Sequence, residues 1–174
     1  MEFRRLTRDE IRLIAELDRS EIIEEVYYFK NGALQLKKEF WSVPKWSSEE
    51  KRTYSANLTR IFDEGGIILG AFHGSNITGI AALESKFLGK NSDKLNLAGL
   101  WVNSQHRKMG IGVALVELVK GKTKELGAKK LYVSATPSQN TIDFYLKQGF
   151  RLAKEVDPHL LALEPEDIHM ELEL

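Results

Sequence analysis

The residue types best suited to chemistry stand together in one basic, glycine-rich stretch, Arg107-Lys108-Met109-Gly110-Ile111-Gly112. It separates an apolar, strand-like run, Leu95–Asn103, from an amphipathic helical pattern that ends near Leu126. The first amides of a helix have no partners within it, and the helix dipole is positive there, so such a turn favours phosphate. Glycine lets a ligand approach the backbone. The pattern predicts an anion-binding loop, with a tight turn that only packs the helix as the alternative.

A second stretch offers an amide and a phenol, Asn140 and Tyr145, within a helical pattern that leads into Gly149-Phe150. A phenol has a pKa near 10 in water and is a plausible proton donor to a departing thiolate. The alternative for Tyr145 is an ordinary helix tyrosine whose ring packs between sheet and helix, with its hydroxyl at the surface.

Together the two stretches resemble the signatures of the GNAT family of N-acetyltransferases, Arg/Gln-x-x-Gly-x-Gly/Ala and then Asn followed by Phe-Tyr-x-x-x-Gly-Phe. The resemblance implies acetyl-CoA as cofactor, with its pyrophosphate on the amides of Lys108–Val113 and its pantetheine arm along Leu100–Val102. The cofactor-binding residues that it implies are Leu100, Trp101, Val102, Arg107, Lys108, Met109, Gly110, Ile111, Gly112, Val113, Asn140 and Tyr145.

Acetyl transfer to an amine needs a donor to the developing oxyanion, an acid for the leaving thiolate and a base for the amine. A backbone amide near Val102 is a candidate for the first need, and the resemblance gives the acid role to Tyr145. Many members of the family have a glutamate as base on the strand that corresponds to Leu95–Asn103, where this chain has no carboxylate. Glu84 is the best substitute, with Asp93 behind it; a solvated charge at a loop end is the alternative for both.

An aromatic hairpin, Val26–Val43, is the other candidate functional part. Its centre is Asn31-Gly32, the pair that most favours a two-residue hairpin turn. In the resembling family this region forms a wall of the acceptor site, and aromatic side chains suit an apolar or cationic acceptor. We take Tyr28 and Trp41 as the substrate-binding candidates. The aromatic set is Tyr27, Tyr28, Phe29, Phe40, Trp41 and Trp46, for which packing onto the domain or onto a second subunit is the alternative.

Alternating and β-rich runs predict the strands that must position these residues. They are Glu2–Leu6, the hairpin arms, Ile67–His73, Ile77–Glu84, Leu95–Asn103, Leu131–Ala135, Arg151–Val156 and Ile168–Leu174. The run Arg151–Val156 is followed by a predicted loop that contains Pro158 and Pro165. A strand, helix and strand in succession make the runs at 95–103 and 131–135 parallel.

Helices are predicted from capping boxes and apolar stripes. One begins at Thr7-x-x-Glu10 and stops near Asp18–Ser20, one begins near Ser47 and ends at Gly65-Gly66, and one spans about Asn140–Gln148. The helix after the glycine-rich loop is expected to place one set on a single face: Ile111, Ala114, Leu115, Leu118 and Val119.

The expected fold is a single α/β (α+β) domain over residues 1–174. Its mixed, mostly antiparallel sheet has about six to seven strands, is flanked by helices, and is GNAT-like in being splayed between strands four and five. The chain has 174 residues, of which 43% are hydrophobic, enough for a real core.

Composition excludes several classes of function. Net charge is zero, which gives no general electrostatic case for nucleic acid or for an anionic membrane. The chain has no cysteine, so a disulfide scaffold, a thiolate nucleophile and a cysteine metal site are excluded. Its four histidines show no ligand spacing, and no metal is expected. The charged first residues and the lack of an apolar run of about 20 residues make a cytoplasmic protein the default expectation.

The sequence thus predicts an acetyl-CoA-dependent N-acetyltransferase that acts on the amine of a small molecule or peptide. Direct transfer is expected because no cysteine can carry the acetyl group. The alternative is a regulatory or interaction module that binds CoA or acyl-CoA without turnover, a reading favoured by the missing strand carboxylate. Ile168–Leu174 is a candidate for strand pairing across a homodimer.

Overall fold

A computed structural model describes all 174 residues. The strands are β1 Glu2–Arg5, β2 Glu21–Lys30, β3 Ala33–Val43, β4 Ile67–His73, β5 Asn76–Leu83, β6 Lys94–Val102, β7 Lys130–Ala135, β8 Arg151–Leu152 and β9 Ile168–Glu173. The α-helices are α1 Ser48–Asp63, α2 Ile111–Glu125, α3 Gln139–Lys147 and α4 Pro158–Leu163, with short 3-10 helices at Arg8–Glu16 and Ser104–His106. None of the helices has the length and apolar character needed to cross a membrane.

Seven strands form one sheet in the order β1-β4-β5-β6-β7-β9-β8. Every pairing in it is antiparallel except that of β6 with β7, which runs parallel from Lys94–Lys130 to Asn96–Tyr132. The crossover between these two strands is α2, because parallel neighbours need a long connection. The predicted mixed, mostly antiparallel sheet is confirmed.

Two apolar cores lie on opposite faces of this sheet, since side chains alternate along each strand. The first, the α2-face core, joins α2 and α3 to the sheet through residues such as Leu115, Val119 and Ile142. The second, the α1-face core, packs α1 and the first 3-10 helix on the other face, with Leu58 and Ile14 at its centre. The sheet therefore separates two helical layers.

Strands β2 and β3 form a separate two-stranded hairpin. Its turn has Asn31 at φ 53° and Gly32 at φ 78°, as the Asn-Gly pair predicts. The hairpin crosses the end of β7: Val26 bridges Ser138, and the amide of Tyr27 donates to the carbonyl of Pro137 at 2.7 Å. The hairpin therefore lies over the end of the sheet at which β6 also ends.

Three sequence predictions were wrong in detail. The first helical segment is 3-10 and ends at Glu16, short of Asp18–Ser20, because buried Leu17 turns into an extended conformation to enter the core. On α2, Leu118 is exposed and Val116 is buried, since the buried stripe is rotated toward β5 and β6.

The third difference lies near the C-terminus, where the strand expected over Arg151–Val156 stops at Leu152. Residues Pro158–Leu163, expected in a loop, form α4. The Asp157 carboxylate accepts from the amides of His159 at 3.0 Å and Leu160 at 2.9 Å, which caps this helix. Proline at the first helical position completes a start signal that the sequence already contained.

Candidate active site

The cleft lies where β6 and β7 separate. Their pairing ends at Asn96 and Tyr132, although β6 continues to Val102 along its antiparallel neighbour β5. A register irregularity opposite Ala82 and Leu83 bends the ladder at this point. Beyond Asn96, the edge of β6 that faces β7 has no strand partner. An extended ligand can pair with such an edge through backbone hydrogen bonds.

The glycine-rich loop lies at the open end of this cleft, directly before α2. Gly110 is the N-cap at φ 82°, and Lys108 also has a positive φ of 63°. The first helical hydrogen bond runs from the amide of Ala114 to the carbonyl of Gly110, at 3.0 Å. No amide from Lys108 to Val113 donates to another protein group, and no side chain caps the helix. These free amides and the positive helix end form an anion-binding turn.

The second glycine of the loop, Gly112, lies close to two neighbouring elements. A side chain at Gly112 would place its Cβ 3.4 Å from the ring of Phe144 on α3 and 3.8 Å from Val102. The first turn of α2 is thus held close to both α3 and the end of β6. Gly110 permits the backbone conformation of the loop, whereas a methyl group at Gly112 would make ordinary van der Waals contacts with Phe144 and Val102.

Arg107 and Asn140, which lie far apart in sequence, are brought together by the carboxylate of Glu21 at the start of β2. The guanidinium of Arg107 lies 3.4 Å from this carboxylate and donates to the carbonyl of Arg19 at 2.7 Å. The Asn140 amide donates to the other oxygen of Glu21 at 3.2 Å. In this arrangement both side chains brace the loop and α3. Sequence reasoning missed Glu21, because no local pattern marks a contact formed by tertiary structure.

Tyr145 combines a buried ring with a hydroxyl that has no protein partner. The residue is 4% exposed, and its ring makes edge contacts with Phe144 at 5.2 Å and Phe150 at 5.1 Å. Its oxygen is not among the polar atoms sealed from solvent. Burial and then the charge of Asp167 raise its pKa, so the phenol stays neutral. A neutral phenol is a hydrogen-bond donor.

Glu84 follows β5 and is anchored to the strand residue at which the cleft opens. Its amide donates to the carbonyl of Asn96 at 2.9 Å, and one carboxylate oxygen accepts from the Asn96 side-chain amide at 2.9 Å. The other oxygen lies 3.3 Å from Arg60. Asn96 is 3% exposed, and its Oδ1 has no partner. Asp93 instead precedes β6, at the end of the strand remote from the glycine-rich loop.

A cluster of three aromatic rings lies on the α1 face of the sheet. Trp46, Tyr54 and Trp101 have ring centroids 5.0 to 6.0 Å apart. Trp46 is 5% exposed and belongs to the core, so for this residue the alternative of packing onto the domain holds, and not the acceptor wall. The indole of Trp101 lies over Gly99, where a Cβ would come within 2.0 Å of the ring. Only glycine permits this position.

The hairpin presents Tyr28 and Trp41 around one carboxylate. Glu39 accepts from the Tyr28 hydroxyl at 2.5 Å and from the Trp41 indole at 2.9 Å. These two bonds lower the pKa of Glu39, so the carboxylate remains ionised beside two aromatic rings. Tyr27 has a different function, because its hydroxyl anchors the hairpin to Asp143 of α3 at 2.9 Å. Phe29 and Phe40 are exposed.

A separate cavity of about 580 Å³ lies at the other end of β6, beside Lys94 and the segment Glu155–Pro158. The ammonium of Lys94 is paired there with Glu171 at 2.7 Å, and both side chains are almost fully buried. The glycine-rich loop follows the opposite end of the strand. This cavity is therefore distinct from the cleft.

The sequence matches the description acetyltransferase (GNAT) family over residues 31–150. No functionally curated protein shows significant sequence similarity to the chain. Among solved structures, nourseothricin acetyltransferase superposes with a TM-score of 0.72 at 20% identity, covering 99% of this chain and 97% of that one. A Bacillus anthracis str. Ames protein described as a streptothricin acetyltransferase was solved with acetyl coenzyme A. It superposes with a TM-score of 0.73 at 18% identity, covering 99% of this chain and 98% of that one.

A third similar structure is PaiA N-acetyltransferase from Thermoplasma acidophilum in complex with coenzyme A. Its TM-score is 0.63 at 19% identity, and the alignment covers 99% of this chain and 98% of that one. At these identities the structural matches establish a shared fold over essentially the whole chain.

Proposed function

Since the chain belongs to the acetyltransferase (GNAT) family, we propose that it transfers the acetyl group of acetyl-CoA directly to the amine of a small molecule or peptide. One observation carries the proposal: the partner-free amides of Lys108–Val113 lie beside the unpaired edge of β6. An anion site and an extended-ligand site thus adjoin, as a molecule with a pyrophosphate and a linear amide arm requires.

We assign the pyrophosphate to the amides of Lys108, Met109, Gly110, Ile111, Gly112 and Val113. The pantetheine arm is assigned to the edge of Leu100, Trp101 and Val102. Arg107 and Asn140 act on the cofactor indirectly in this proposal, because Glu21 already engages both side chains.

When bound, acetyl-CoA supplies an activated acetyl thioester. A backbone amide of β6 near Val102 stabilises the negative charge that develops on the carbonyl oxygen. Tyr145 donates a hydrogen bond to the departing sulfur through its neutral hydroxyl. Transfer is direct because the chain has no cysteine to carry the acetyl group.

The acceptor amine approaches from the α1 face in this proposal. Glu84 orients the Asn96 side chain at the strand position where the cleft opens. Tyr28 and Trp41, with Glu39 between them, form a surface suited to the cationic part of an acceptor. The similar structures include PaiA N-acetyltransferase and an aminoglycoside 6'-N-acetyltransferase, and these N-acetyltransferases support an amine acceptor here.

Thermal unfolding with acetyl-CoA, free CoA and a longer acyl-CoA tests the cofactor assignment. A ligand that binds only the native state at about 100 times its Kd stabilises it by roughly 2.7 kcal/mol. We expect a rise in Tm with acetyl-CoA, followed by release of free CoA when amines are added. No rise with any of the three ligands contradicts the assignment, and binding without release for a wide amine panel supports a non-catalytic CoA-binding module.

A further inference from the structure

The part of β7 that lines the cleft carries a carboxylate partner on the acceptor side. Val133 and Ala135 pack into the α2-face core, so Ser134 between them projects to the opposite face. Its hydroxyl donates to Asp167 Oδ2 at 3.1 Å. Asp167 directly precedes β9, whose first residue, Ile168, pairs with Ala135. The carboxylate therefore lies beside β7 beyond the point where β6 has diverged.

The charge of this one carboxylate affects the pKa of two tyrosines, which lie on opposite faces of the sheet. Burial is the main cause that raises the pKa of Tyr145, on α3, and of Tyr54, on α1, and the charge of Asp167 is a lesser cause of both shifts. The continuous sheet separates these two layers except where β6 and β7 part. Ser134 lies beyond this point of divergence, so the carboxylate that it bonds lies at the opening through which an amine on the α1 face reaches a thioester on the α3 side.

Few charged groups surround Asp167. Ser134 on β7 donates the hydrogen bond, and Glu164 contributes a like charge from the preceding segment. The charge of Asp167 in turn acts on Tyr54 of α1 and Tyr145 of α3. No basic side chain forms an ion pair with it, in contrast to Glu84, which lies 3.3 Å from Arg60. Burial raises the pKa of Asp167 to about 6, against the lowering effect of Ser134.

We propose that Asp167 is the general base that takes the proton from the acceptor amine. This inference rests on the proposed acetyltransferase function. The amine nitrogen forms its bond to the thioester carbonyl carbon, and the carbon–sulfur bond breaks. The proton lost by nitrogen passes to the Asp167 carboxylate and from there to solvent. The sulfur leaves as thiolate, hydrogen-bonded by Tyr145, and takes a proton from solvent when CoA is released.

The test compares Asp167→Asn with Glu166→Gln, which removes the same charge from the adjacent exposed residue. Loss of a general base lowers kcat by about 10²- to 10⁴-fold. Because the base works only when deprotonated, the wild-type rate should rise with pH through about 6. We expect this rise, the acidic limb of the pH–rate profile, in the wild type and in Glu166→Gln. In Asp167→Asn the limb should be lost and kcat should fall.

Two further variants move the limb in opposite directions and remain informative if Asp167→Asn folds poorly. Ser134→Ala removes the hydrogen bond that lowers the pKa of Asp167, so the limb should move to higher pH. Glu164→Gln removes the charge that raises this pKa, so the limb should move to lower pH. If Asp167 had a purely structural role, neither variant would shift the limb.

Several outcomes overturn the assignment. One is an Asp167→Asn enzyme that keeps the wild-type kcat and the acidic limb. Another is loss of the limb in Glu84→Gln and not in Asp167→Asn. A third is a limb whose position neither Ser134→Ala nor Glu164→Gln changes. Acetyl-CoA should still raise the Tm of Asp167→Asn, because the cofactor loop is intact. A wild type that acetylates no amine overturns the proposed function and this inference with it, whereas an unaffected variant beside an active wild type overturns the inference alone.

Discussion

A carboxylate placed on the first turn of α2 should stabilise the ligand-free protein and weaken cofactor binding. Val113 is 42% exposed and lies three residues after the N-cap Gly110, about 4.5 Å further along the helix axis. The helix has no acidic residue in this turn. A glutamate there interacts favourably with the free amides and the dipole, so Val113→Glu should raise the free energy of unfolding by about 0.3–1 kcal/mol.

The same charge repels a bound pyrophosphate. Two unit charges at an effective dielectric constant of 20 interact by about 4 kcal/mol at 4 Å, hence by about 2 kcal/mol at roughly 8 Å. This energy corresponds to a Kd for acetyl-CoA that is about 25-fold higher. Few substitutions produce such opposite effects, because a variant that simply damages the fold lowers both stability and affinity.

The matched control is Val113→Gln, which has nearly the same shape and no charge. Kd from calorimetric titration and stability from urea unfolding are compared between the Glu and Gln variants. Their difference in Kd should shrink at high salt, since ions screen an exposed charge pair. Equal affinities for the two variants at low salt would refute the anion site at this turn.

Three further predictions concern other parts of the molecule. Tyr145→Phe keeps the ring packing and removes the hydroxyl, so kcat should fall by about 10²-fold or more with little change in KM for acetyl-CoA; unaltered turnover in a steady-state assay contradicts the role. Trp41 belongs to neither core, so Trp41→Ala should raise the acceptor KM at unchanged Tm, and a lost fold contradicts the wall assignment. Lys94→Met leaves the buried Glu171 poorly compensated and should cost about 3 kcal/mol in urea unfolding at pH 7. Although burial opposes it, bonding to lysine lowers the pKa of Glu171, so this contribution is present above the unfolded pKa and should fade as acid protonates the carboxylate; a loss independent of pH contradicts it.

Local signals explain how much of the fold the sequence could predict. Capping boxes at Thr7 and Ser47, the Asn31-Gly32 turn and the glycines around α2 each act within a few residues. Their outcome depends little on distant packing. The parallel pairing of β6 with β7 followed from the intervening helix, and its early end produced the expected cleft.

The remaining features depend on distant contacts. Glu21 bridges Arg107 and Asn140 across three separate segments. Asp167 gains its raised pKa from burial that only the assembled sheet provides. Trp46 stands in a polar stretch of the sequence, which is typical of a surface residue, yet it is buried against Trp101. No spacing rule connects such residues, because their proximity is set by topology.

The most direct test of the account follows the backbone amides during titration with acetyl-CoA in ¹H–¹⁵N correlation spectra. The largest shift changes should fall on Lys108–Val113, with a second set along Leu100–Val102. The segments Leu88–Lys90 and Glu155–Pro158, which line the separate cavity, should change little. Large changes at those segments with unperturbed amides from Lys108 to Val113 would contradict the central claim that the turn before α2 holds the cofactor.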